Sequence, residues 1–267
     1  MAISGKTVFI TGGSTGIGFA MAKQLAVANK LCLFARDPKK LETAKDIIAQ
    51  AGGNKCNIYA TDAKDYNALK QAMDTAVKEM GVPDLLINCV GRAYPDHFEH
   101  ISSDVMQDTM RTNFGSIWNA SHIIVPHMKA KGGKIVNTSS IGGFIGVFGF
   151  SDYSASKFAI VGFSEVLKQE LSKYNIAIQV LCPPDTDTPG FETENKTKPE
   201  ETKKISETAK LLKPEEVAAA ALRGIEGNKF MIIPGFDGKL TYWMKRHFPF
   251  IVNRIMDSAI KKVQKGN

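Results

Sequence analysis

The sequence has few cysteines, no long apolar run and no compositionally biased segment. Its four cysteines show no Cys-x-x-Cys or Cys-x-x-His spacing, which predicts reduced thiols and no metal site. The longest stretch without a polar side chain, residues 141–150, has ten residues, four of them glycine. A bilayer-spanning helix needs about 20 residues. A strand-like run already occupies residues 6–11, so no secretion signal is evident. We therefore expect a cytoplasmic protein.

Positive charge is concentrated near the C-terminal end. The formal net charge is +7, and residues 237–267 hold seven Lys or Arg and two Asp, which is +5 for that segment. The remainder is close to neutral. The sequence contains no helix-turn-helix, zinc-finger or aromatic-basic stripe, so the charge does not predict nucleic-acid binding.

The basic segment 237–267, called the tail below, has the pattern of an amphipathic helix. From Val252 onward apolar residues recur at helical spacing and basic residues fill the opposite face. Just upstream, residues 242–250 mix aromatic and basic side chains, as interfacial segments do. Two interpretations stay open. The tail binds an anionic membrane surface peripherally, or its apolar face packs on the protein's own body or on a second subunit.

The first 35 residues predict a strand, a glycine-rich loop, a helix and a second strand. Residues 6–11 and 31–35 are the strands. The candidate cofactor-binding residues of the loop are Gly12, Ser14, Thr15, Gly16, Ile17 and Gly18. Glycines let the backbone approach a pyrophosphate, and the N-terminus of the following helix supplies free N–H groups. The unit predicts a dinucleotide site.

The end of the second strand indicates which dinucleotide is bound. NAD sites usually carry an acidic residue there, which accepts hydrogen bonds from the ribose. Here Arg36 stands at that place, with Lys40 four residues later, and both would attract the 2′-phosphate of NADPH. Asp37 precedes Pro38 and is expected to cap the next helix. The alternative is that Arg36 and Lys40 are only solvated charges.

Helical and strand-like patterns alternate along the rest of residues 1–236. This rhythm predicts one Rossmann-like α/β domain with a doubly wound parallel sheet and helices on both faces. The predicted helices lie near 38–50, 65–80, 103–130, from 151, and 214–226, and the predicted strands at 57–60, 85–87, 134–138, 177–181 and 230–233.

Polar residues follow the predicted strands where such sheets bind ligands, beyond the strands' carboxyl ends. Asp62 follows the third strand, and Asn88 and Gly91 follow the fourth. Asn113 lies within the predicted helix 103–130, where asparagine is a mediocre helix former. It marks either a kink or a buried hydrogen-bonding group.

Ser140, Tyr153 and Lys157 have the spacing of a catalytic group. If residues from 151 are helical, Tyr153 and Lys157 share one face, and a lysine ammonium there favours the phenolate. This arrangement would give a lowered tyrosine pKa and a general acid at neutral pH. The alternative, which the Tyr–Lys spacing alone favours, is a surface helix that happens to carry a tyrosine and a lysine. Ser140 precedes the helix and would donate a hydrogen bond to the same substrate oxygen.

Together these motifs resemble the short-chain dehydrogenase/reductase superfamily over about residues 4–235. The matching elements are TGGSTGIG at 11–18, Asp62, NCVG at 88–91, Asn113, Ser140 and YSASK at 153–157. The resemblance implies a catalytic tetrad of Asn113, Ser140, Tyr153 and Lys157. In it the tyrosine donates a proton to a carbonyl, the lysine also binds the nicotinamide ribose, and the asparagine holds a relay water. It also places Thr188 in the cofactor site.

A narrower resemblance is carried by residues 183–215. The segments PPDTDTPGF (183–191), ENKTKP (194–199) and ISET (205–208) are similar to those of the 3-ketosphinganine reductase family. This implies NADPH-dependent reduction of a long-chain keto-lipid in sphingolipid synthesis. Eukaryotic members carry membrane segments that this chain does not match.

The apolar residues before Tyr153 and the segment after the sixth strand suit a lipid substrate. Residues 184–213, called the lid below, are expected to fold over the substrate, their charges forming a solvated face. Core packing or a subunit contact is the alternative for the apolar side chains Phe144, Ile145, Val147, Phe148 and Phe150.

Two other functions stay open, a general 3-oxoacyl or steroid ketone reductase and a non-catalytic NADP-sensing regulator. We expect the protein to be a homo-oligomer, either a dimer or a tetramer.

Overall fold

The computed structural model describes residues 3–53, 55–207 and 209–265. Its centre is a seven-stranded parallel sheet with the order β3-β2-β1-β4-β5-β6-β7. The strands are β1 (Thr7–Thr11), β2 (Lys30–Ala35), β3 (Lys55–Ala60), β4 (Leu85–Asn88), β5 (Gly133–Thr138), β6 (Ile176–Leu181) and β7 (Met231–Ile232). The order runs outward in both directions from β1, so the predicted Rossmann-like, doubly wound α/β class is confirmed.

Helices cover both faces of the sheet and extend beyond it at the C-terminal end. They are α1 (Gly16–Leu25), α2 (Pro38–Gln50), α3 (Tyr66–Met80), α4 (Ser103–Met110), α5 (Ser116–Met128), α6 (Ser151–Glu170), α7 (Pro189–Glu194), α8 (Glu200–Ser206), α9 (Pro214–Glu226), α10 (Phe236–His247) and α11 (Pro249–Gln264). Helix α2 begins at Asp37, the cap expected from sequence, and α3 begins in the same way at Asp65, since both aspartates accept hydrogen bonds from the first backbone N–H groups of their helices.

The core lies in two layers, one on each face of the sheet. Successive residues of β1 alternate between them, because side chains along a strand point to opposite faces. Val8 and Ile10 pack with α1, α2 and α9, whereas Phe9 packs with α3 and α5. Burial on both faces explains why these strands read as continuous apolar runs.

The prediction of a single long helix over residues 103–130 is wrong. The chain instead forms α4, a π-helical turn at Arg111–Gly115, and α5. Asn113 lies in the π-helical turn and is fully buried and hydrogen-bonded. Both interpretations of this residue hold, because the irregular turn directs a polar side chain into the interior, as π-bulges at functional sites often do.

The lid leaves the sheet after β6 and returns to its own starting point. Thr186 bridges Leu212, and the backbone N–H of Asp187 donates to the Leu212 carbonyl. Between these ends lie α7 and α8, and the Thr202 hydroxyl donates to the Phe148 carbonyl beneath. Thr208 of the ISET segment lies outside the described residues.

The tail packs on the body of the protein. Its helix α11 contacts α8 of the lid, Val252 is buried, and Tyr242 of α10 packs edge-on against Phe144 with ring centroids 5.1 Å apart. Packing of the apolar face on the protein's own body is therefore the interpretation that the structure supports. Gly266 and Asn267 lie outside the described residues.

Within the described residues, no helix is long and apolar enough to cross a membrane. The same part of the chain contains no group of three or more metal-ligating side chains. All four cysteines are free thiols, and Cys32 and Cys182 are buried.

Candidate active site

Two cavities meet at the N-terminal end of α6. One has a volume of about 370 Å³ and is lined by the glycine-rich loop and the carboxyl ends of the central strands. The other has a volume of about 750 Å³ and is lined largely by apolar side chains of residues 141–150, the lid and the tail. Ser140 and Tyr153 line both cavities. A ligand in one cavity would therefore contact a ligand in the other at these two hydroxyls.

The glycine-rich loop leaves backbone exposed to the first cavity. Gly12 has φ +70°, and a Cβ built on it would lie 2.9 Å from the backbone of Cys89. A Cβ on Gly18 would lie 2.3 Å from the Gly12 carbonyl oxygen. Only glycine fits at either position. Ser14, Thr15, Gly16 and Ile17 also line this cavity.

Helix α1 points its N-terminus into the same cavity. Its N-cap residue Thr15 makes no side-chain capping hydrogen bond, so the first N–H groups are left for a ligand. A pyrophosphate suits such a helix end because of the free N–H groups and the helix dipole.

Arg36 and Lys40 line the far end of the first cavity, beyond β2. Arg36 is exposed and makes no ion pair within the described residues. Asp37, the acidic group nearby, is used by the backbone of α2, since its Oδ1 accepts from the N–H groups of Lys39 and Lys40 at 2.9 and 3.2 Å. The cavity therefore presents two cations where a cofactor phosphate would lie.

Most of the other predicted cofactor residues also line this cavity, but Asn88 does not. Asp62, Gly91 and Thr188 are part of the cavity wall. Asn88 is fully buried below it, where its side chain accepts from the Thr11 hydroxyl and donates to Asn137. The structure thus places Asn88 as a link between strand ends rather than as a ligand contact.

The three central catalytic candidates lie together. The Ser140 hydroxyl accepts from the Gly142 N–H at 3.1 Å. A Cβ on Gly142 would lie 3.6 Å from that hydroxyl and 3.2 Å from the Tyr153 ring, so the two side chains are neighbours, and Tyr153 stands one turn of α6 before Lys157. The Lys157 ammonium donates to the Thr138 carbonyl at 3.1 Å, and a Cβ on Gly91 would lie 3.3 Å from its Nζ. The neighbouring Ser139 has a different task, because its hydroxyl donates to the Lys157 carbonyl.

The lowered pKa predicted for Tyr153 is not what the structure shows. Burial raises the pKa of this tyrosine well above its ordinary value, and the nearby Ser140 hydroxyl offsets only part of that rise. The Lys157 Nζ lies 5.5 Å from the tyrosine ring centroid. Burial also lowers the pKa of Lys157 to about 8. Tyr153 is therefore protonated at neutral pH, the form that a proton donor requires.

Burial of the Lys157 charge has a measurable effect on stability. The pKa of Lys157 is about 8 in the folded protein, against an ordinary 10.5 in the unfolded chain. Below pH 8 the lysine is charged in both states, so the folded state carries the full free-energy cost of burying the charge. The penalty fades as pH rises from 8 to 10.5. We expect Lys157→Met to melt several degrees above wild type at pH 7, since each kcal/mol is worth roughly 2–4 °C at this size. Thermal unfolding between pH 7 and 10.5 should show the difference shrinking, and a difference independent of pH would contradict the assignment.

Asn113 lies behind the catalytic group and connects three segments. Its Oδ1 accepts from the Arg92 N–H at 2.9 Å, and its Nδ2 donates to the Arg92 carbonyl at 3.0 Å and to the Ser156 hydroxyl at 2.9 Å. Ser156 in turn donates to the Tyr153 carbonyl at 2.6 Å. The asparagine side chain therefore fixes the loop after β4 against the helix that carries Tyr153.

The second cavity is lined by side chains from three parts of the chain. Of the five apolar candidates at 144–150, Ile145, Val147 and Phe150 line it, whereas Phe144 packs on Tyr242 and Phe148 packs on His97. The lid and tail contribute Ile205, Ala209, Leu212, Leu240, Met244, Val252, Ile255 and Met256. The tail is thus part of the cavity wall, which its position in the sequence did not indicate.

Sequence reasoning missed two carboxylates of the site and treated a buried lysine as solvated. Asp185 and Glu194 line both cavities, and Lys198 is 7% exposed and pairs with Glu194 at 2.9 Å. The lid is therefore only partly a solvated face. The one sequence feature that could have indicated Asp185, Glu194 and Lys198 is that they lie in the PPDTDTPGF and ENKTKP segments.

Comparison with protein families identifies the chain. Residues 6–199 match the short chain dehydrogenase family model. The chain belongs to the short-chain dehydrogenase family. It is 39% identical over 248 residues to a 3-ketodihydrosphingosine reductase of Mus musculus, with 89% of this chain and 74% of that protein covered. It is 38% identical over 242 residues to a 3-dehydrosphinganine reductase of Danio rerio, covering 88% and 73%.

Solved structures give the same fold. A crystal structure of an actinorhodin polyketide ketoreductase variant with NADPH matches with a TM-score of 0.77, at 23% identity, over 87% of this chain and 96% of that one. This short-chain dehydrogenase is an oxidoreductase that uses a nicotinamide cofactor.

Proposed function

We propose that the protein reduces the ketone of 3-ketosphinganine to sphinganine with NADPH, in sphingolipid synthesis. The observation that carries this proposal is the position of Ser140 and Tyr153 between a dinucleotide cavity and an apolar cavity of about 750 Å³. A cavity of this size and lining suits an alkyl chain. The two relatives compared above are reductases of this substrate by name.

The residues of the site have complementary tasks in such a reduction. NADPH, when bound, supplies a hydride. Tyr153 donates a proton to the substrate oxygen, and the neighbouring Ser140 hydroxyl donates a hydrogen bond that holds that oxygen in place. Lys157 stands between the tyrosine and Gly91, where its ammonium faces the cofactor cavity. Asn113 holds the loop at Arg92 and the helix at Ser156 in fixed relation.

The preference for NADPH over NADH is supported by Arg36 and Lys40. Both line the cofactor cavity, and the nearby Asp37 carboxylate is used in capping α2. A 2′-phosphate would meet two cations there, while the first position after the strand, where NAD sites usually carry an acidic residue, holds Arg36.

The function is tested by steady-state turnover of 3-ketosphinganine with NADPH and with NADH. We expect reduction with both and a kcat/KM at least tenfold higher with NADPH. The panel should include a 3-oxoacyl thioester and a steroid ketone. Faster turnover of either than of 3-ketosphinganine would favour the general ketone reductase instead, and absence of turnover of any ketone would favour a non-catalytic sensor.

We further propose that the tail holds the cavity mouth against an anionic membrane surface. Phe236 and Leu240 line the cavity and yet are 76% and 44% exposed. Trp243, Phe248 and Phe250 form an exposed aromatic cluster with neighbouring ring centroids 5.4 and 6.5 Å apart. Lys and Arg of the same helices supply charge complementary to anionic headgroups, each worth about 1 kcal/mol near the surface. A lipid substrate would enter from there.

We expect the wild-type protein to co-sediment with vesicles of phosphatidylglycerol at low salt and to be released at high salt. Replacing both Trp243 and Phe250 with Ser should lower the bound fraction severalfold, since both side chains are about half exposed or more. The matched control is Val27→Ser, which removes a 63% exposed side chain at the end of α1, before β2. Equal sedimentation of the control and the double variant would argue against the membrane surface.

The expectation of a homo-oligomer stays a proposal, and helices α5 and α6 support it. Trp118, Phe158 and Val166 on these helices are 45–50% exposed. Apolar side chains this exposed on neighbouring helices suit a contact with a second copy. We expect sedimentation to give at least a dimer, and Trp118→Glu to lower its mass toward that of the 29.1 kDa chain.

A further inference from the structure

Two carboxylates stand in the wall that the two cavities share. Asp185 follows β6, and Glu194 is the last residue of α7. Both line the cofactor cavity and the apolar cavity, as do Ser140 and Tyr153. Their negative charges contribute to the raised pKa of Tyr153, after the larger effect of burial, so they lie within electrostatic reach of the reacting hydroxyl.

These carboxylates are only partly neutralised by the protein. Lys198 pairs with Glu194 at 2.9 Å, and the two side chains are 4% and 15% exposed. Asp185 makes no ion pair or side-chain hydrogen bond within the described residues, although Lys198 lies close enough to oppose the rise of its pKa. Two carboxylates and one ammonium leave one negative charge.

Among the residues that the structure describes, no other cation in the two cavity walls forms an ion pair with Asp185 or Glu194. Lys157 faces the cofactor cavity and donates to the Thr138 carbonyl. Lys210 lines the apolar cavity but is solvent-exposed. Burial raises the pKa of both Asp185 and Glu194, which shows that their charge is poorly solvated. A cation supplied by a ligand would relieve this.

A second feature of the same cavity indicates a polar ligand. Ser154, next to Tyr153 on α6, is 7% exposed and lines the apolar cavity. Its hydroxyl has no hydrogen-bond partner within the described residues. A buried polar group without a partner is unfavourable, and a ligand hydroxyl or ammonium would satisfy it.

We propose that Asp185 and Glu194 form a subsite for a protonated primary amine, which holds an α-amino ketone with its carbonyl at Ser140 and Tyr153. This rests on the proposed function and adds how the substrate is selected. In 3-ketosphinganine the amino carbon is bonded directly to the carbonyl carbon. Docking the carbonyl between the two hydroxyls therefore brings the ammonium to the wall beside them. A 3-oxoacyl or steroid ketone has no cation to offer and would leave the carboxylates unbalanced, which costs binding energy.

The test compares 3-ketosphinganine with its desamino analogue, 1-hydroxyoctadecan-3-one. Asp185→Asn and Glu194→Gln keep the shape of each side chain and remove its charge. We expect each variant to lower kcat/KM for the amino ketone by roughly 10- to 100-fold, as for loss of a charge-assisted hydrogen bond in a buried site. We expect a change of less than about threefold for the desamino ketone and for the KM of NADPH.

Matched controls come from the same two segments. Asp187→Asn and Glu192→Gln remove exposed carboxylates two residues from each candidate. We expect these variants to resemble wild type on both ketones. Equal losses on both ketones at Asp185 or Glu194 would mean a structural or cofactor role, and no loss on the amino ketone would mean no subsite.

A measurement on the wild-type protein keeps the inference testable if the variants do not fold. Sphinganine should inhibit reduction of the desamino ketone at least tenfold more strongly than octadecane-1,3-diol, which lacks the amine. Equal inhibition would overturn the subsite. If the wild type reduces 3-ketosphinganine well without preferring amines, the subsite is wrong and the proposed function stands. If the wild type reduces only the desamino ketone, the proposed function is wrong as well.

Discussion

Replacing Tyr153 with Phe is expected to reduce turnover by roughly 10²–10⁴-fold, the usual loss on removing a general acid. The phenol hydroxyl lies beside Ser140 at the junction of the two cavities, and burial keeps it protonated at neutral pH. The substitution removes one oxygen atom and leaves the ring packed on Phe150, whose centroid lies 5.4 Å away. Single-turnover reduction of 3-ketosphinganine would give the rate.

Cofactor binding should survive this substitution, so NADPH titration by fluorescence is the companion measurement. Tyr174→Phe is a suitable control, because it removes a hydroxyl just before β6, at the amino ends of the strands and away from the carboxyl ends that line the cofactor cavity. Retention of more than a tenth of wild-type turnover by Tyr153→Phe would show that another group supplies the proton.

Replacing Arg36 with Ala is expected to raise the KM for NADPH by roughly tenfold or more. A charge-assisted hydrogen bond is worth about 1.5–3 kcal/mol, and about 1.4 kcal/mol corresponds to one decade. The guanidinium lines the cofactor cavity and has no ion-pair partner in the described part of the chain. Its removal therefore breaks no ion pair within the protein, and the effect can be assigned to the cofactor. The KM for NADH should stay nearly unchanged.

The neighbour Lys39 provides the control for Arg36. Its side chain is exposed and does not line the cofactor cavity, so Lys39→Ala changes the net charge equally without removing the phosphate contact. Two outcomes would show that Arg36 does not recognise the 2′-phosphate. Arg36→Ala could raise the KM for NADPH and NADH alike, or Lys39→Ala could raise the KM for NADPH as much as Arg36→Ala does.

Local patterns were enough to predict the sheet and most of the cofactor cavity. Strands buried on both faces give continuous apolar runs, and the alternation of these runs with amphipathic helices predicts parallel topology. Gly12 and Gly18 were recognisable because close backbone packing requires glycine at fixed positions of a strand–loop–helix unit. Helical spacing placed Tyr153 and Lys157 together, whereas the choice of Ser140 and the catalytic interpretation of all three came from the family resemblance.

The burial of ionisable side chains, by contrast, could not be predicted from the sequence. Tyr153 and Lys157 have the spacing for a lowered tyrosine pKa, yet burial of both groups decides the outcome and raises it. Glu194 and Lys198 look like members of a charged surface, yet the fold of the lid buries the lysine and most of the glutamate. Desolvation depends on what packs above a group, and those neighbours come from distant parts of the chain.

The sequence by itself determined the fold class, the position of the glycine-rich loop and the pairing of Tyr153 with Lys157, because each depends on neighbours within one helix turn or one strand–loop–helix unit. The tertiary structure decided which residues form the apolar cavity. Val252 and Met256 of the tail line it beside residues 141–150, roughly a hundred positions earlier in the chain. The amphipathic pattern of the tail required a partner surface and could not specify which one, since burial of apolar area is non-directional.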